Sequence, residues 1–135
     1  MITEKELICR SELLLILKVA KQKNRVLSKE QIIFLHYLAN NQDKIRSELN
    51  KLKRMNFFSS CDYDENITRL ILLGLVLQEI RNESFIYLIT EKGLEYVNKL
   101  NSKYLLNKNY EIESLFKSPT NEKELREKIL PMVKL

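Results

Sequence analysis

The stretch TRLILLGLVLQEIRNESFIYLITEKGLEYV, residues 68 to 97, restricts the fold more than any other part of the chain. An apolar run, NITRLILLGL, reaches Gly74, the residue type that most readily takes the left-handed conformation closing a helix. LVLQEI and SFIYLIT then carry the β-branched and aromatic residues that suit strands, and the polar RNES between them reads as a hairpin tip. Thr90 opens the next helix, EKGLEYVNKLNSKYLLN, in which Leu94, Val97, Leu100 and Tyr104 form one apolar stripe.

Helices are predicted upstream as well. Residues 5 to 22 place Leu7, Leu13, Leu14, Leu17 and Ala20 in helical register, and Leu15, Ile16 and Val19 fill other faces. SKEQIIFLHYLAN begins at Ser28 with Gln31 three places on, the spacing of a capping box. Ile32, Ile33, Phe34, Leu35, Tyr37 and Leu38 leave that helix little polar surface. A third helix is expected over 41–55, with Ile45, Leu49, Leu52 and Met55 on one side, followed by a loop, NFFSSCDYDE, in which Asp62 or Asp64 can cap the next helix. Downstream, Ile112, Leu115 and Phe116 share a face of NYEIESLFK, Pro119 breaks the chain, and TNEKELREKIL stops before Pro131. Helix, helix, helix, hairpin, helix is the order of a winged helix. The expected architecture is mainly α: a winged helix-turn-helix over residues 1–106 with a two-stranded wing, and a helical C-terminal extension over 107–135 that docks on something, being too short to be helical alone.

Two helices apolar on every side are hard for one small domain to enclose, so a subunit contact is expected through Leu15, Ile16, Val19, Ile33, Phe34 and Tyr37, and through Ile112, Leu115 and Phe116 of the tail. The 135 residues suit a single core, and no apolar run approaches the roughly 18 residues of a membrane span. The N-terminus, MITEKELICRSE, mixes acids with bases unlike a secretory or transit signal, so a cytoplasmic protein is expected. Cys9 and Cys61 have no histidine or second cysteine nearby and read as free, buried thiols.

Chemistry-bearing residues are few. His36 lies inside FLHYL, where a core imidazole bonded to a carbonyl is the expected role. Gly74 and Gly93 are too far apart for a phosphate-cradling loop, and CDYDE lacks the alternating ligands of a calcium loop. The expectation is no catalysis, no cofactor, no metal and no small-molecule substrate.

The net charge of +5 is unevenly spread. Residues 1–55 hold 12 Lys and Arg against 6 Asp and Glu, whereas residues 56–135 hold 11 against 12. A winged helix that reads DNA presents a basic helix before the hairpin and a basic wing. Here that helix offers Arg69 after Asp64 and Glu65, and the tip offers Arg81 between Glu79 and Glu83. Cations cluster instead at Lys21, Lys23 and Arg25, and at Lys44, Arg46, Lys51, Lys53 and Arg54, which are the candidate contacts for a non-specific DNA backbone.

In order and spacing, FLHYLANN, LILLGLV, FIYLITEKGLEYVNKLNSKYLLN and YEIESLFK resemble the middle component of ABC-three-component systems, including the Lamassu type of bacterial defence, over roughly residues 10 to 118. The segment MNFFSSCDYDEN departs from that family's pattern, lacking its prolines and arginine. The resemblance implies a winged-helix adaptor between a coiled-coil ATPase similar to structural-maintenance-of-chromosomes (SMC) proteins and a separate effector, in a hetero-oligomer. It places Leu70, Leu73, Leu75 and Val76 in the LGLV core, and Tyr87, Thr90 and Gly93 at the wing strand and cap, as structural positions. The alternative is a winged-helix DNA-binding transcription regulator.

Overall fold

The computed structural model describes residues 3–47, 62–100 and 102–116, the side chains of 41–47 excepted. Within them the chain forms α1 (Glu4–Gln22), α2 (Lys29–Ser47), α3 (Tyr63–Leu72), β1 (Val76–Arg81), β2 (Ser84–Ile89), α4 (Glu91–Asn98) and α5 (Lys103–Phe116). This is the mainly helical, winged-helix arrangement that the sequence predicts.

The local signals act through their hydrogen bonds. Thr3 caps α1 by accepting from Glu6 N–H. Ser28 and Gln31 close the reciprocal capping box of α2, Gln31 Oε1 accepting from Ser28 N–H at 2.9 Å and Ser28 Oγ from Gln31 N–H at 3.2 Å. Asp62 accepts from Glu65 N–H at 3.1 Å, which starts α3 at Tyr63, three residues before the expected Asn66. Gly74 closes α3 at φ +78°. The strands pair antiparallel from Val76↔Ile89 to Arg81↔Ser84, leaving Asn82 and Glu83 as a two-residue loop, both at positive φ as a type I′ hairpin turn requires. Thr90 Oγ1 accepts from Gly93 N–H (3.0 Å) to cap α4 and donates to Gly74 O (2.7 Å), so one side chain ties both ends of the hairpin.

Two further helix boundaries differ from expectation. α2 continues through residue 47, with no break at 41; the rest of the helix expected over 41–55, most of the loop after it, and the tail from 117 onward lie outside the described residues. The helix expected over 91–107 is two: α4 ends at Asn98, and a new start is set by Ser102, whose Oγ accepts from Leu105 N–H at 3.1 Å. α5 therefore runs from Lys103 to Phe116 across the domain boundary expected at 106–107, and joins the wing's trailing residues to the extension in one helix.

The apolar excess of the first two helices is resolved inside the chain. α1 lies at the centre and packs against α2, α3, α4, α5 and β2. That encirclement is why it has no polar face: Leu13, Leu14, Ile16, Leu17, Val19 and Ala20 are all buried, as is Leu15. Phe34 and Tyr37 of α2 and Ile112 of α5 are buried in the same core, while Ile33, Leu115 and Phe116 are half-buried. Of the residues expected at a subunit contact, Leu15, Ile16, Val19, Phe34, Tyr37 and Ile112 are thus enclosed by elements of the chain itself, whereas Ile33, Leu115 and Phe116 keep part of their surface accessible. A correction concerns Cys9, which is buried and disulfide-bonded rather than a free thiol; Cys61 lies outside the described residues.

Candidate interaction surfaces and a buried polar cluster

Where a winged helix would receive a duplex, α3 and the hairpin enclose a cleft of about 230 Å³. Ile67, Ile71 and Tyr87 line it together with Thr68, Leu72 and Gln78, and Lys29 and Asp64 form an ion pair there. The surrounding charges cancel one another. Glu65 and Arg69 pair along α3 at 3.8 Å, Glu79 and Arg81 pair on β1 at 3.2 Å, and Asp64 engages Lys29. Among the described residues of α3 and the hairpin, Arg69 and Arg81 are each paired with an acid, so a phosphate backbone would gain little from them. Large apolar side chains stand exposed instead: Leu72 and Leu73 at the end of α3, and Leu77, Ile80 and Phe85 on the hairpin. Leu73, expected in the core, is half exposed at the C-cap of α3, whereas Leu70, Leu75, Val76 and Tyr87 are buried as expected.

The candidate backbone contacts are scattered. Lys21 and Lys23 are exposed, and Lys21 faces Glu91 at 3.7 Å. Arg25 is half-buried with its guanidinium over the Phe116 ring, 5.1 Å from the centroid. Lys44 and Arg46 belong to α2, their side chains undescribed, and Lys51, Lys53 and Arg54 lie outside the described residues. The structure therefore brings Lys21, Lys23 and Arg25 to one end of α1 and assembles no larger basic face among the described residues.

Sequence reasoning missed the cluster that α5 completes. Glu12 of α1 is buried, with Oε1 3.0 Å from His36 Nε2 and Oε2 accepting from Tyr104 O–H at 2.7 Å. His36 is bonded to a carboxylate rather than a carbonyl; with Nε2–H donating to Glu12, Nδ1 is the acceptor for the Tyr63 hydroxyl at 2.7 Å. Lys108, also buried, donates to Ala39 O (3.1 Å), Asn40 Oδ1 (3.2 Å) and Glu111 Oε2 (3.1 Å), and stands 4.0 Å from Glu12. Burial pushes the Glu12 carboxyl up, but the hydrogen bonds from His36 and Tyr104, the positive charge His36 carries when its ring is protonated, and the Lys108 charge outweigh it and hold it below its ordinary value. Burial and the bond to Glu12 raise the Tyr104 phenol. The signal available in the sequence was Glu12 itself, the lone acid within the apolar half of its helix: a carboxylate there needs partners. The cluster joins α1, α2, α3 and α5 through hydrogen bonds, a polar clasp within the core. Among the described residues, no group of three or more metal-ligating side chains converges, and no helix is long and apolar enough to cross a membrane.

No family model, curated protein or solved structure matches the chain.

Proposed function

We propose that the chain is a non-catalytic adaptor subunit of a bacterial anti-phage or anti-plasmid defence complex, linking an SMC-like coiled-coil ATPase to an effector in the cytoplasm. The adaptor restrains the effector until the ATPase engages foreign DNA ends, and the contact is then lost. The observation that carries this reading is the surface between α3 and the hairpin: its charges are internally paired, and Leu72 (72% exposed) and Leu73 (51% exposed) stand beside it in solvent. Exposed large apolar side chains grouped at one site suit a protein partner better than a phosphate backbone. The sequence resemblance supplies the kind of partner.

Co-expression with the proteins encoded beside it tests the proposal. An SMC-like ATPase and an effector are expected to co-purify with the wild-type chain, and the Leu72→Asp, Leu73→Asp double variant to lose them while melting at the wild-type temperature. Neighbouring genes that encode no ATPase, or an intact complex with the double variant, would reject it. The alternative, a winged-helix transcription regulator, is favoured by the exposed Lys21 and Lys23 near Arg25 and predicts a sequence-specific footprint from the isolated protein.

A further inference from the structure

The two outer edges of the hairpin are unlike. Tyr87 N–H donates to Leu27 O at 2.9 Å, an isolated bridge that seals β2 at its middle. Because that amide points away from β1, Gln78↔Tyr87 is a non-hydrogen-bonded pair of the ladder, and alternation gives Val76, Gln78 and Ile80 outward-facing N–H and C=O groups on β1. Among the described residues no strand or bridge meets those groups. Near the tip the same edge exposes Ile80 (68%), paired across the hairpin with Phe85 (54%), and places Glu79 and Arg81 on the other face.

We propose that this edge pairs antiparallel with β1 of a second copy of the chain, about a two-fold axis through Ile80. Charge complementarity selects that occupant. With Ile80 opposite its own counterpart, Glu79 of each copy, already 3.2 Å from Arg81 of its own strand, also lies opposite Arg81 of the other, so the two internal pairs merge into one four-charge network on one face. On the other face Phe85, Ile80 and their counterparts make an apolar row across a four-stranded sheet. A strand with an acid and a base flanking an outward-facing residue is complementary to itself, and an unrelated strand has no such requirement to meet. An axis through Glu79 is excluded because its backbone groups face β2. An axis through Gln78 sets Val76, buried at the hairpin's base, against Ile80 and leaves Glu79 opposite Leu77 with no base to meet it. The inference is independent of the adaptor reading, which concerns Leu72 and Leu73.

Sedimentation and cross-linking of the full chain test it. The wild type is expected to approach twice its 16.1 kDa with rising concentration. Glu79→Arg should weaken the dimer on the order of tenfold by setting like charges opposite, and the Glu79→Arg, Arg81→Glu double variant should recover it. Phe85→Asp should abolish the dimer with an unchanged melting temperature. An Ile80→Cys variant should join to its counterpart under mild oxidation, since directly opposed residues of a hydrogen-bonded pair lie about 5.5 Å apart, within disulfide reach, and a Gln78→Cys variant should not. A monomer at every concentration, a dimer indifferent to Glu79→Arg and Phe85→Asp, a double variant that stays weak, or cross-linking through Gln78→Cys alone would each overturn the proposal.

Discussion

Glu12 is the residue that links His36, Tyr104 and Lys108 into one cluster. Its depressed carboxyl means that the folded chain binds that proton less readily than the unfolded chain does. It therefore contributes stability above the ordinary value of 4.5, and that contribution is lost as pH falls from there through the folded value. Glu12→Gln keeps the shape but removes the buried negative charge that faces His36 and Lys108, leaving Glu111 as the carboxylate paired with Lys108; the expected cost is about 2–3 kcal/mol at pH 7. Urea unfolding from pH 7 to pH 3 should show a shallower acid loss in the variant than in the wild type. Equal slopes would place the acid sensitivity elsewhere. Cys9 gives a second expectation at this scale. It should resist an alkylating reagent in denaturant until a reductant is added, as read by intact mass, whereas a free thiol would react at once.

At the level of elements, the two glycines answer different needs. Gly74 supplies a left-handed residue, and this was legible because helix ends advertise it. Gly93 supplies closeness: a Cβ there would stand 2.3 Å from Leu75 O and 2.7 Å from Ile89 Cγ1, so α4 rests on the hairpin's base with no room for a methyl group. Gly93→Ala is expected to destabilise by about 1–3 kcal/mol although alanine favours helices, a reversal that thermal unfolding would reveal. Thr90→Val should cost about 1–2 kcal/mol by the same measurement, since it removes both the cap and the bond to Gly74 O. Such local chemistry explains why the hairpin and the caps of α2 and α3 followed from the residues, whereas the strand register, with Arg81 and Ser84 paired inside the expected tip, did not. The break between α4 and α5 did not. The apolar stripe runs on through Leu100 and Tyr104, and only the Ser102 hydroxyl, common in loops and helices alike, marks the restart.

For the molecule as a whole, the sequence showed how much apolar surface there was but not how it would be shared. Leu15, Ile16, Val19, Phe34 and Tyr37 looked like too much for one chain because periodicity describes a helix in isolation, and the ring of elements around α1 is a long-range arrangement. The charge balance of the candidate interface was more accessible, since Asp64, Glu65, Arg69, Glu79 and Arg81 all lie in one continuous stretch. It leads to an expectation for the intact protein: any duplex binding at low salt should have a shallow salt dependence, unchanged by Arg69→Ala or Arg81→Ala, as measured by titration across ionic strengths. A steep slope lost with either substitution would return the α3 surface to nucleic acid.

The Leu27–Tyr87 bridge limits what this small sheet can become. A ribbon with both sides open invites unlimited addition of strands, the first step toward a fibril. Here the outer edge of β2 is met at Tyr87 by Leu27 of the same molecule, so addition of a strand is directed to the other side, and a second copy paired there would close the assembly rather than extend it.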